Sequence, residues 1–427
     1  MGKIRVIGAG LAGVEAAFYL AKKGHQVHLF EMRPTKMTPA HQSGLLAELV
    51  CSNSLKSNRL DNACGLLKEE MRNMDSLTME VAAQTSVPSG NALSVDRTQF
   101  AKLITEKILQ MPNIFIHREE IKKLDDELTI LATGPLTSDD LIEDVKKYVG
   151  GDALSFFDAS APIIAKESIN FDIAYFKSRY EQDDNSYVNC PFDKERYLHF
   201  YDELIKAKTI QLHAFEVGFF EGCLPIEILA SRGVDTMRYG PLKPKGLALD
   251  RNHPPYAVVQ LRQDNLIASL YNVVGFQTNL TYGEQERVFR MIPGLEKAEF
   301  VRFGLMHRNT YLNSPRALAE NLTIKSKNNV IVAGQLSGVE GYVESAATGI
   351  IAGIIAHRLL VNKPVLLPPP STMIGSLLRY ITKANPEHFS PMNANYGILE
   401  NANKRTREKD IQKALLDITG YWRSVNE

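Results

Sequence analysis

The first 33 residues of this chain constrain its fold more than any other stretch. An apolar run, KIRVI, leads into the glycine-rich turn GAGLAG, an apolar helical pattern, a second turn and a second apolar run that ends before EMRP. The order of strand, glycine turn, helix, turn and strand predicts a complete βαβ unit. Such a unit at the start of the chain indicates an α/β fold with a doubly wound, Rossmann-like sheet.

The glycine turn predicts a dinucleotide site. Gly8 permits the tight turn, Gly10 lets the backbone approach a pyrophosphate, and Gly13 lets the helix pack on the strand. The helix N-terminus then offers free N–H groups to the anion, and Glu31 is expected to accept hydrogen bonds from ribose hydroxyls. A site for S-adenosylmethionine is the alternative that the pattern leaves open. The predicted contacts in this segment are Gly8, Ala9, Gly10, Leu11, Ala12, Gly13 and Glu31.

Two later segments favour a flavin. Residues 127–135, ELTILATGP, read as a strand that runs into Gly134, and residues 328–359 read as a strand, a glycine-rich loop and a long helix of small residues. Both resemble the two further signatures of two-dinucleotide-binding-domain flavoproteins. That resemblance implies FAD as cofactor, with Gly134, Gly341 and Gly349 among its contacts, and a helix N-terminus directed toward the flavin.

The same resemblance implies a discontinuous FAD domain. The expected parts are a first portion at 1–160, an inserted α+β substrate domain at 161–300, and a second portion with a helical tail at 301–427. Within the insertion, alternation in AVVQLRQ and SLYNVVGFQ predicts antiparallel strands, and DKERYLHFYDELIKAK predicts a solvated helix. The tail reads as a charged helix with one apolar stripe.

Composition excludes several classes of protein. Forty-nine basic and 49 acidic residues cancel, so a strongly basic surface over the whole chain is excluded and any nucleic acid must bind a local patch. Four cysteines without CxxC spacing are too few for a disulfide scaffold in 427 residues. The N-terminus lacks the pattern of a signal peptide, and the apolar stretch from Gly349 is broken by His357 and Arg358, which predicts a buried helix and a cytoplasmic protein.

Several longer blocks are more specific than these patterns. They are GAGLAGVEAAFYL, FEMRPTKMTPAH, ELVCSNSLKSN, NACGLLKEEMR, ALSVDRTQF, LATGPLTS, PYAVVQLRQ, GFQTNL, GLMHRNTYLNSPR and GVEGYVESAATG. Together they resemble the folate- and FAD-dependent tRNA (uracil-5-)-methyltransferases, and the likeness runs from residue 4 to about residue 400. The larger wobble-uridine flavoproteins share the N-terminal turn, but this chain has no room for their C-terminal extension.

The resemblance implies a reaction and its participants. In that family FAD accepts a hydride from NAD(P)H, methylenetetrahydrofolate gives its one-carbon unit to the reduced flavin, and the unit passes to C5 of a uridine in the T-loop of tRNA. A cysteine in a CLP or CVP turn is the nucleophile toward uracil, and this position matches Cys223. A second cysteine near the flavin, in the VCSNS block, matches Cys51. The resemblance implies no membrane and no stable protein partner.

The chemistry also calls for a thiol. C5 of uracil is a poor nucleophile until a group adds to C6, and a thiolate adds readily near neutral pH and leaves again. Cys223 stands between Gly222 and Leu224-Pro225, and basic residues follow soon after it. Cys51 is open to three interpretations, namely shielding the flavin, assisting the thiolate chemistry, or packing. Cys64 and Cys190 are expected to pack.

The base that removes the C5 proton is not identified by the sequence. Glu340, Glu344, His307 and Glu221 are candidates of similar standing. The basic stretch VRFGLMHRNTYLNSPR suits RNA phosphates, and an interdomain hydrogen-bond network over FAD is the equal alternative. The basic residues of the tail, Lys404, Arg405, Arg407 and Lys409, favour a solvated helix face.

Three further readings stay open at this point. The same chemistry is possible on a ribosomal RNA uridine. A general FAD oxidoreductase acting on a small molecule would use the cysteines as a redox couple and would turn over without folate or RNA. A non-catalytic RNA-binding flavoprotein would bind RNA without forming product.

Overall fold

A computed structural model describes residues 2–150, 153–179, 186–210, 224–250, 252–400 and 405–427, without the side chains of 153–158, 307 and 308. The strands are β1 (Lys3–Ile7), β2 (Gln26–Phe30), β3 (Ser54–Ser57), β4 (Ser86–Val87), β5 (Ala92–Val95), β6 (Ile114–His117), β7 (Thr129–Leu131), β8 (Ala153–Ala159), β9 (Ile163–Ala165), β10 (Tyr175–Phe176), β11 (Tyr187–Phe192), β12 (Ala257–Gln263), β13 (Leu270–Val273), β14 (Phe300–Arg302), β15 (Met306–Leu312), β16 (Thr323–Ile324) and β17 (Lys327–Val332). The helices are α1 (Leu11–Lys22), α2 (Ala63–Asn73), α3 (Leu77–Gln84), α4 (Arg97–Leu109), α5 (Asp139–Val149), α6 (Lys194–Lys206), α7 (Ile226–Ser231), α8 (Thr236–Tyr239), α9 (Tyr282–Phe289), α10 (Ser314–Ala317), α11 (Tyr342–Leu360), α12 (Met373–Lys383) and α13 (Arg407–Asn426).

Strands from both ends of the chain form one sheet, in the order β16-β17-β7-β1-β2-β6. The pairs β1–β2, β1–β7, β2–β6 and β7–β17 are parallel, and only the β16–β17 pair in this sheet is antiparallel. Helices such as α1 and α11 cover it, as parallel sheets require. The predicted α/β fold class with a Rossmann-like sheet is therefore confirmed.

The middle of the chain forms a second sheet, in the order β10-β11-β12-β13-β9-β14. Its pairs are antiparallel, including β12 with β13, as the alternation in their sequences predicts. The hydrophobic core around this sheet consists of residues between Ala161 and Ala298, separate from the core of the first sheet. Strands β8 and β15 form a separate antiparallel pair. In the chain, β8 lies between the first sheet and the second, and β15 lies where the chain returns to the first sheet.

The carboxylate of Glu15, on α1, caps a different helix. Glu15 is buried and accepts hydrogen bonds from the backbone N–H groups of Leu77 (3.1 Å) and Thr78 (2.8 Å). These are orphan donors at the N-terminus of α3. Glu15 therefore joins α1 to α3 by capping it.

Helix α11 crosses α1 at very short range. A Cβ atom on Gly349 would lie 2.2 Å from the carbonyl oxygen of Ala12, and one on Gly353 would lie 3.2 Å from Cα of Ala16. Residues 342–360 are long and apolar enough to span a membrane, but 78% of that apolar window is buried inside the protein. Its place against α1 makes α11 a core helix of the first domain.

We predict that Gly349→Ala destabilises the protein by about 1–3 kcal/mol, because the added methyl group must push α11 away from the backbone of α1. The thermal midpoint measures the effect. Gly420→Ala is the matched control, since Gly420 lies exposed within α13 and a Cβ there meets no atom within 4 Å. This change should stabilise by about 0.5–1 kcal/mol through the helix preference of alanine. Equal effects of the two substitutions would contradict the close helix contact.

Candidate active site

A cavity of about 330 Å³ lies at the carboxyl ends of β1, β2 and β7. It extends from the N-terminus of α1 to the N-terminus of α11. Among the residues that line it are Gly8, Gly10, Leu11, Ala12, Glu31, Arg33, Cys51, Ser52, Lys56, Thr133, Gly134, Gln277, Gln335, Glu340, Gly341 and Tyr342. This edge of an open parallel sheet is where ligands bind in α/β proteins.

The turn before α1 leaves its helix N-terminus open to the cavity. Gly8 has φ +96°, and a Cβ there would lie 2.4 Å from the carbonyl oxygen of Ala132. A Cβ on Gly10 would meet no atom within 4 Å, and one on Gly13 would lie 1.8 Å from the oxygen of Gly8. No side chain caps the helix and its first turn holds no acid. The N–H groups of the first turn and the helix dipole therefore face a concave surface that suits an anion.

Glu31 is held in a buried ionic network at the other side of the turn. Its carboxylate accepts hydrogen bonds from Nε of Arg33 at 2.9 Å and from the backbone N–H of Ala9 at 3.2 Å. Arg33 also contacts Glu48 at 3.2 Å. Burial acts to raise the pKa of Glu31, but the hydrogen bonds and charge of Arg33 outweigh it, so this pKa lies below its usual value. The carboxylate still borders the cavity as an anionic acceptor.

We predict that Glu31→Gln lowers the free energy of unfolding at pH 7 by about 3 kcal/mol, because it breaks a buried ion pair. A carboxylate with a depressed pKa contributes stability above its unfolded-state pKa, near 4.5, and loses it as the pH falls through the lower folded-state value. The difference in thermal midpoint between wild type and variant should therefore shrink below about pH 4. Glu143→Gln, in an exposed pair with Lys146, is the control. A difference in thermal midpoint between wild type and Glu31→Gln that does not change with pH would contradict this account.

The N-terminus of α11 forms the opposite wall. Gly341, with φ +118°, precedes the helix, and no side chain caps it. Lys56 borders the cavity and donates a hydrogen bond to Glu344 at 3.1 Å. Glu344 is fully buried, does not line the cavity and also accepts the backbone N–H of Ala394 at 2.9 Å. Of the two candidate bases in this segment, only Glu340 faces the cavity, and it accepts a hydrogen bond from Gln335 at 2.5 Å.

Cys51 lies in the cavity wall on the turn that precedes β3. Its backbone N–H donates to the hydroxyl of Tyr342 at 2.7 Å, and the N–H of Ser52 reaches the same oxygen at 3.2 Å. The Cys51 thiol is 3.6 Å from the carbonyl oxygen of Ala159. Burial raises the pKa of Tyr342, so its hydroxyl stays neutral and accepts both bonds. The turn with Cys51 is thus fixed to the start of α11.

Cys223 and Glu221 lie outside the described residues, but the chain on both sides of them is anchored near the cavity. The N–H of Ile226 donates to the carbonyl oxygen of Gln277 at 2.7 Å, and Gln277 lines the cavity. On the other side, the N–H of Ile210 donates to the carbonyl oxygen of Asn279 at 2.9 Å. Both ends of the segment that carries Cys223 therefore meet the same short stretch, residues 277–279.

The two remaining cysteines are buried in the hydrophobic cores. Cys64 lies in the core of the first domain, where burial raises its pKa to about 11. Cys190 lies in the core of the second domain, and burial raises its pKa as well. Neither borders the cavity, and both stay protonated at neutral pH.

The structure separates the predicted RNA-contacting stretch into parts with different contacts. Arg302 donates to the carbonyl oxygens of Val50 (2.8 Å) and Ala40 (3.1 Å), across the boundary between the two domains. Arg316 forms an ion pair with Glu387. The Arg302 contacts match the interdomain network that the sequence left as the alternative, whereas the Arg316 pair lies outside the second domain. The side chains of His307 and Arg308, and all of Lys404, lie outside the described structure.

Most of the predicted cofactor contacts border the cavity, and three do not. Gly8, Gly10, Leu11, Ala12, Glu31, Gly134 and Gly341 line it. Ala9 is buried and uses its N–H for Glu31, and Gly13 lies against the turn at Gly8. The sequence predicts a cofactor contact at Gly349, whereas the structure places this residue against Ala12, where it allows the helix crossing.

Sequence reasoning missed Arg33, Lys56 and Tyr342. Arg33 follows Glu31 by two residues, so its position just after the second strand indicates that its side chain can reach the same site. Lys56 and Tyr342 reach the cavity only because α11 meets the turn with Cys51, a contact between positions almost 300 apart in the chain. No local pattern indicates such a meeting.

Known proteins resemble this chain over almost its full length. Residues 3–364 match the family described as Glucose inhibited division protein A. A methylenetetrahydrofolate–tRNA-(uracil-5-)-methyltransferase TrmFO from Lactobacillus gasseri is 54% identical, with 98% of each chain covered, and one from Desulfitobacterium hafniense is 52% identical, with 97% of this chain and 95% of the relative covered. Aquifex aeolicus GidA has the same fold, with TM-score 0.74 and 16% identity over 99% of this chain and 73% of that structure.

Proposed function

Because this chain belongs to the methylenetetrahydrofolate–tRNA-(uracil-5-)-methyltransferases, within the Glucose inhibited division protein A family, we propose that it forms 5-methyluridine at position 54 in the T-loop of tRNA. The one-carbon donor in this proposal is methylenetetrahydrofolate, the cofactor is FAD and the reductant is NAD(P)H. The observation that carries the proposal is one cavity that joins an open dinucleotide turn to Cys51 and to the anchor of the Cys223 segment.

The residues around the cavity fit FAD. The turn from Gly8 to Gly13 leaves room for a pyrophosphate and offers uncapped N–H groups to it. Glu31 borders the same space as an anionic acceptor for ribose hydroxyls. A second uncapped helix N-terminus, at Gly341, would favour negative charge at the other end of the cavity. When bound, FAD would accept a hydride from NAD(P)H, carry the one-carbon unit, and return the two electrons that reduce this unit from the methylene to the methyl level.

The chain itself would supply the thiol that makes uracil reactive. A Cys223 thiolate adds to C6, the ring electrons move to C5 as an enolate, and C5 can then take the one-carbon unit. Loss of the C5 proton and departure of the thiolate restore the aromatic ring. Among the described candidates for the base, Glu340 is the carboxylate that borders the cavity, while Glu344 is buried against Lys56.

The length of the chain supports placing Cys223 at this cavity. Consecutive Cα atoms are about 3.8 Å apart, so the three peptide steps from Ile226 to Cys223 can span at most about 11 Å. The N–H of Ile226 is bonded to Gln277 in the cavity wall. The carboxylate of Glu227 strengthens this anchor, since it accepts hydrogen bonds from the hydroxyl of Thr278 (2.9 Å) and the N–H of Asn279 (2.8 Å). This anchor beside the cavity supports the proposal that Cys223 acts there.

We predict that Cys223→Ser abolishes 5-methyluridine formation and leaves bound flavin unchanged, because a hydroxyl is far less nucleophilic near neutral pH. The assay supplies NAD(P)H, methylenetetrahydrofolate and unmodified RNA, and measures product by mass spectrometry and flavin by absorbance. Cys190→Ser is the matched control, since Cys190 is buried away from the cavity. Wild-type turnover by Cys223→Ser would contradict the nucleophile assignment.

The same assay separates the possible substrates. Unmodified tRNA and ribosomal RNA are offered separately, and the proposal expects product in tRNA at the T-loop uridine. Product in ribosomal RNA alone would mean that ribosomal RNA is the substrate, while the proposed chemistry would stand. Flavin turnover with a small molecule in the absence of folate and RNA would contradict the proposal.

A further inference from the structure

Three arginines converge on the turn that carries Cys51. Arg97 donates to the carbonyl oxygen of Leu49 at 3.2 Å, and Arg302 donates to that of Val50 at 2.8 Å. Arg262 donates to the hydroxyl of Ser52 at 2.8 Å and to the side-chain oxygen of Asn53 at 3.0 Å. The two residues on each side of Cys51 are therefore all held by guanidinium groups. We refer to Arg97, Arg262 and Arg302 as the arginine clamp.

The clamp is assembled from both domains. Arg97 is the first residue of α4, beside the first sheet, whereas Arg262 lies on β12 and Arg302 on β14 of the second sheet. Asp264, which follows β12 and is 3% exposed, forms an ion pair with Arg97 at 2.8 Å. The position of the Cys51 turn therefore depends on the docking of the inserted domain.

Among the described residues, the clamp brings more positive than negative charge to the turn. Asp264 pairs with Arg97 and also attracts Arg262 and Arg302, whose donors described above meet neutral oxygens. Glu48 shares Arg33 with Glu31 and also attracts Arg302, so two carboxylates face the three guanidinium groups. Buried charges are normally balanced by partners of opposite sign. An anion is therefore expected beside the clamp.

Cys51 is the group on this turn that can provide that anion. Burial acts to lower the pKa of Arg97 and of Arg262, and Asp264 acts to raise both. A thiolate at Cys51 adds a smaller attraction to each guanidinium. Because an electrostatic attraction is reciprocal, the same two charges favour the thiolate. Two contacts act in the other direction. The thiol can donate to the carbonyl oxygen of Ala159 at 3.6 Å, and the neutral hydroxyl of Tyr342 lies beside the turn.

We propose that the arginine clamp is a positioning set that fixes Cys51 in the cavity wall and keeps its thiol ionised at neutral pH. The clamp acts through Cys51 and does not itself contact the reacting atoms. The catalytic role of the clamp rests on the proposed function. In that function an anionic sulfur at Cys51 would assist the thiolate chemistry, so Cys51 would do more than fill space in the cavity wall. Ionisation releases one proton to solvent and requires no other reactant.

The pH dependence of thiol modification tests the clamp. Methyl methanethiosulfonate, a small probe, is applied to the flavin-bound protein in a Cys223→Ser background, and peptide mapping follows modification at Cys51. Shielding by bound groups changes the rate but not the midpoint of the pH profile. A free thiol has its midpoint near pH 8.5. The proposal expects a midpoint at least about one pH unit lower.

The variants separate charge from packing. Arg262→Met should raise the midpoint by about one unit, which slows modification at pH 7 about tenfold, because one pH unit is a factor of ten in thiolate. Arg262→Lys keeps the charge and should stay close to the parent. Arg302→Met provides a second test if Arg262→Met fails to fold, as judged by flavin content. Arg287→Met is the control, since this exposed arginine on α9 pairs with Glu203 and Glu284.

A parent midpoint near pH 8.5, or one that Arg262→Met and Arg302→Met leave unchanged, would overturn the proposal. The profile is measured without RNA, folate or NAD(P)H, so its outcome does not depend on the substrate. A normal methylation assay with an unshifted profile would reject the clamp alone. A shifted profile without methylation would reject the proposed substrate and leave the clamp in place.

Discussion

The structure depends on the close crossing of α1 and α11. Gly349 allows α11 to approach the backbone of Ala12, a contact that a larger residue would block. The two helices come from opposite ends of the chain, and each begins at a glycine without a side-chain cap. Their crossing directs both N-termini into one cavity, where helix dipoles favour negative charge at two separate points. The Rossmann-like sheet, with β17 beside β7, holds this arrangement.

The inserted domain adds two anchors to this frame. It anchors the segment that carries Cys223 at residues 277–279, and it supplies two of the three arginines around the Cys51 turn. Each domain alone would therefore have an incomplete site. The first domain offers the turn and the dipoles, and the inserted domain holds the Cys51 turn through Arg262 and Arg302.

The sequence predicts features that depend on neighbouring residues better than contacts between residues far apart in the chain. The turn from Gly8 to Gly13 and the βαβ order are local patterns, so the fold class follows from them. The antiparallel pairing of β12 and β13 also follows from alternation within a short stretch. The arginine clamp cannot be predicted from a local pattern, because Arg262 and Asn53 are separated by 209 positions and meet only after the domains dock. Likewise, the role of Gly349 in helix packing requires knowledge of which helix lies against it.

The central claim is that a thiol on the segment anchored at Gln277 attacks the uracil ring inside this cavity. The most direct measurement is covalent trapping with a T-arm RNA that carries 5-fluorouridine, in the presence of methylenetetrahydrofolate and NAD(P)H. The fluorine blocks the loss of the C5 substituent, so the adduct persists and peptide mapping identifies the attached residue. The account predicts an adduct at Cys223. An adduct at Cys51 or Cys64, or none where the uridine RNA is methylated, would contradict it.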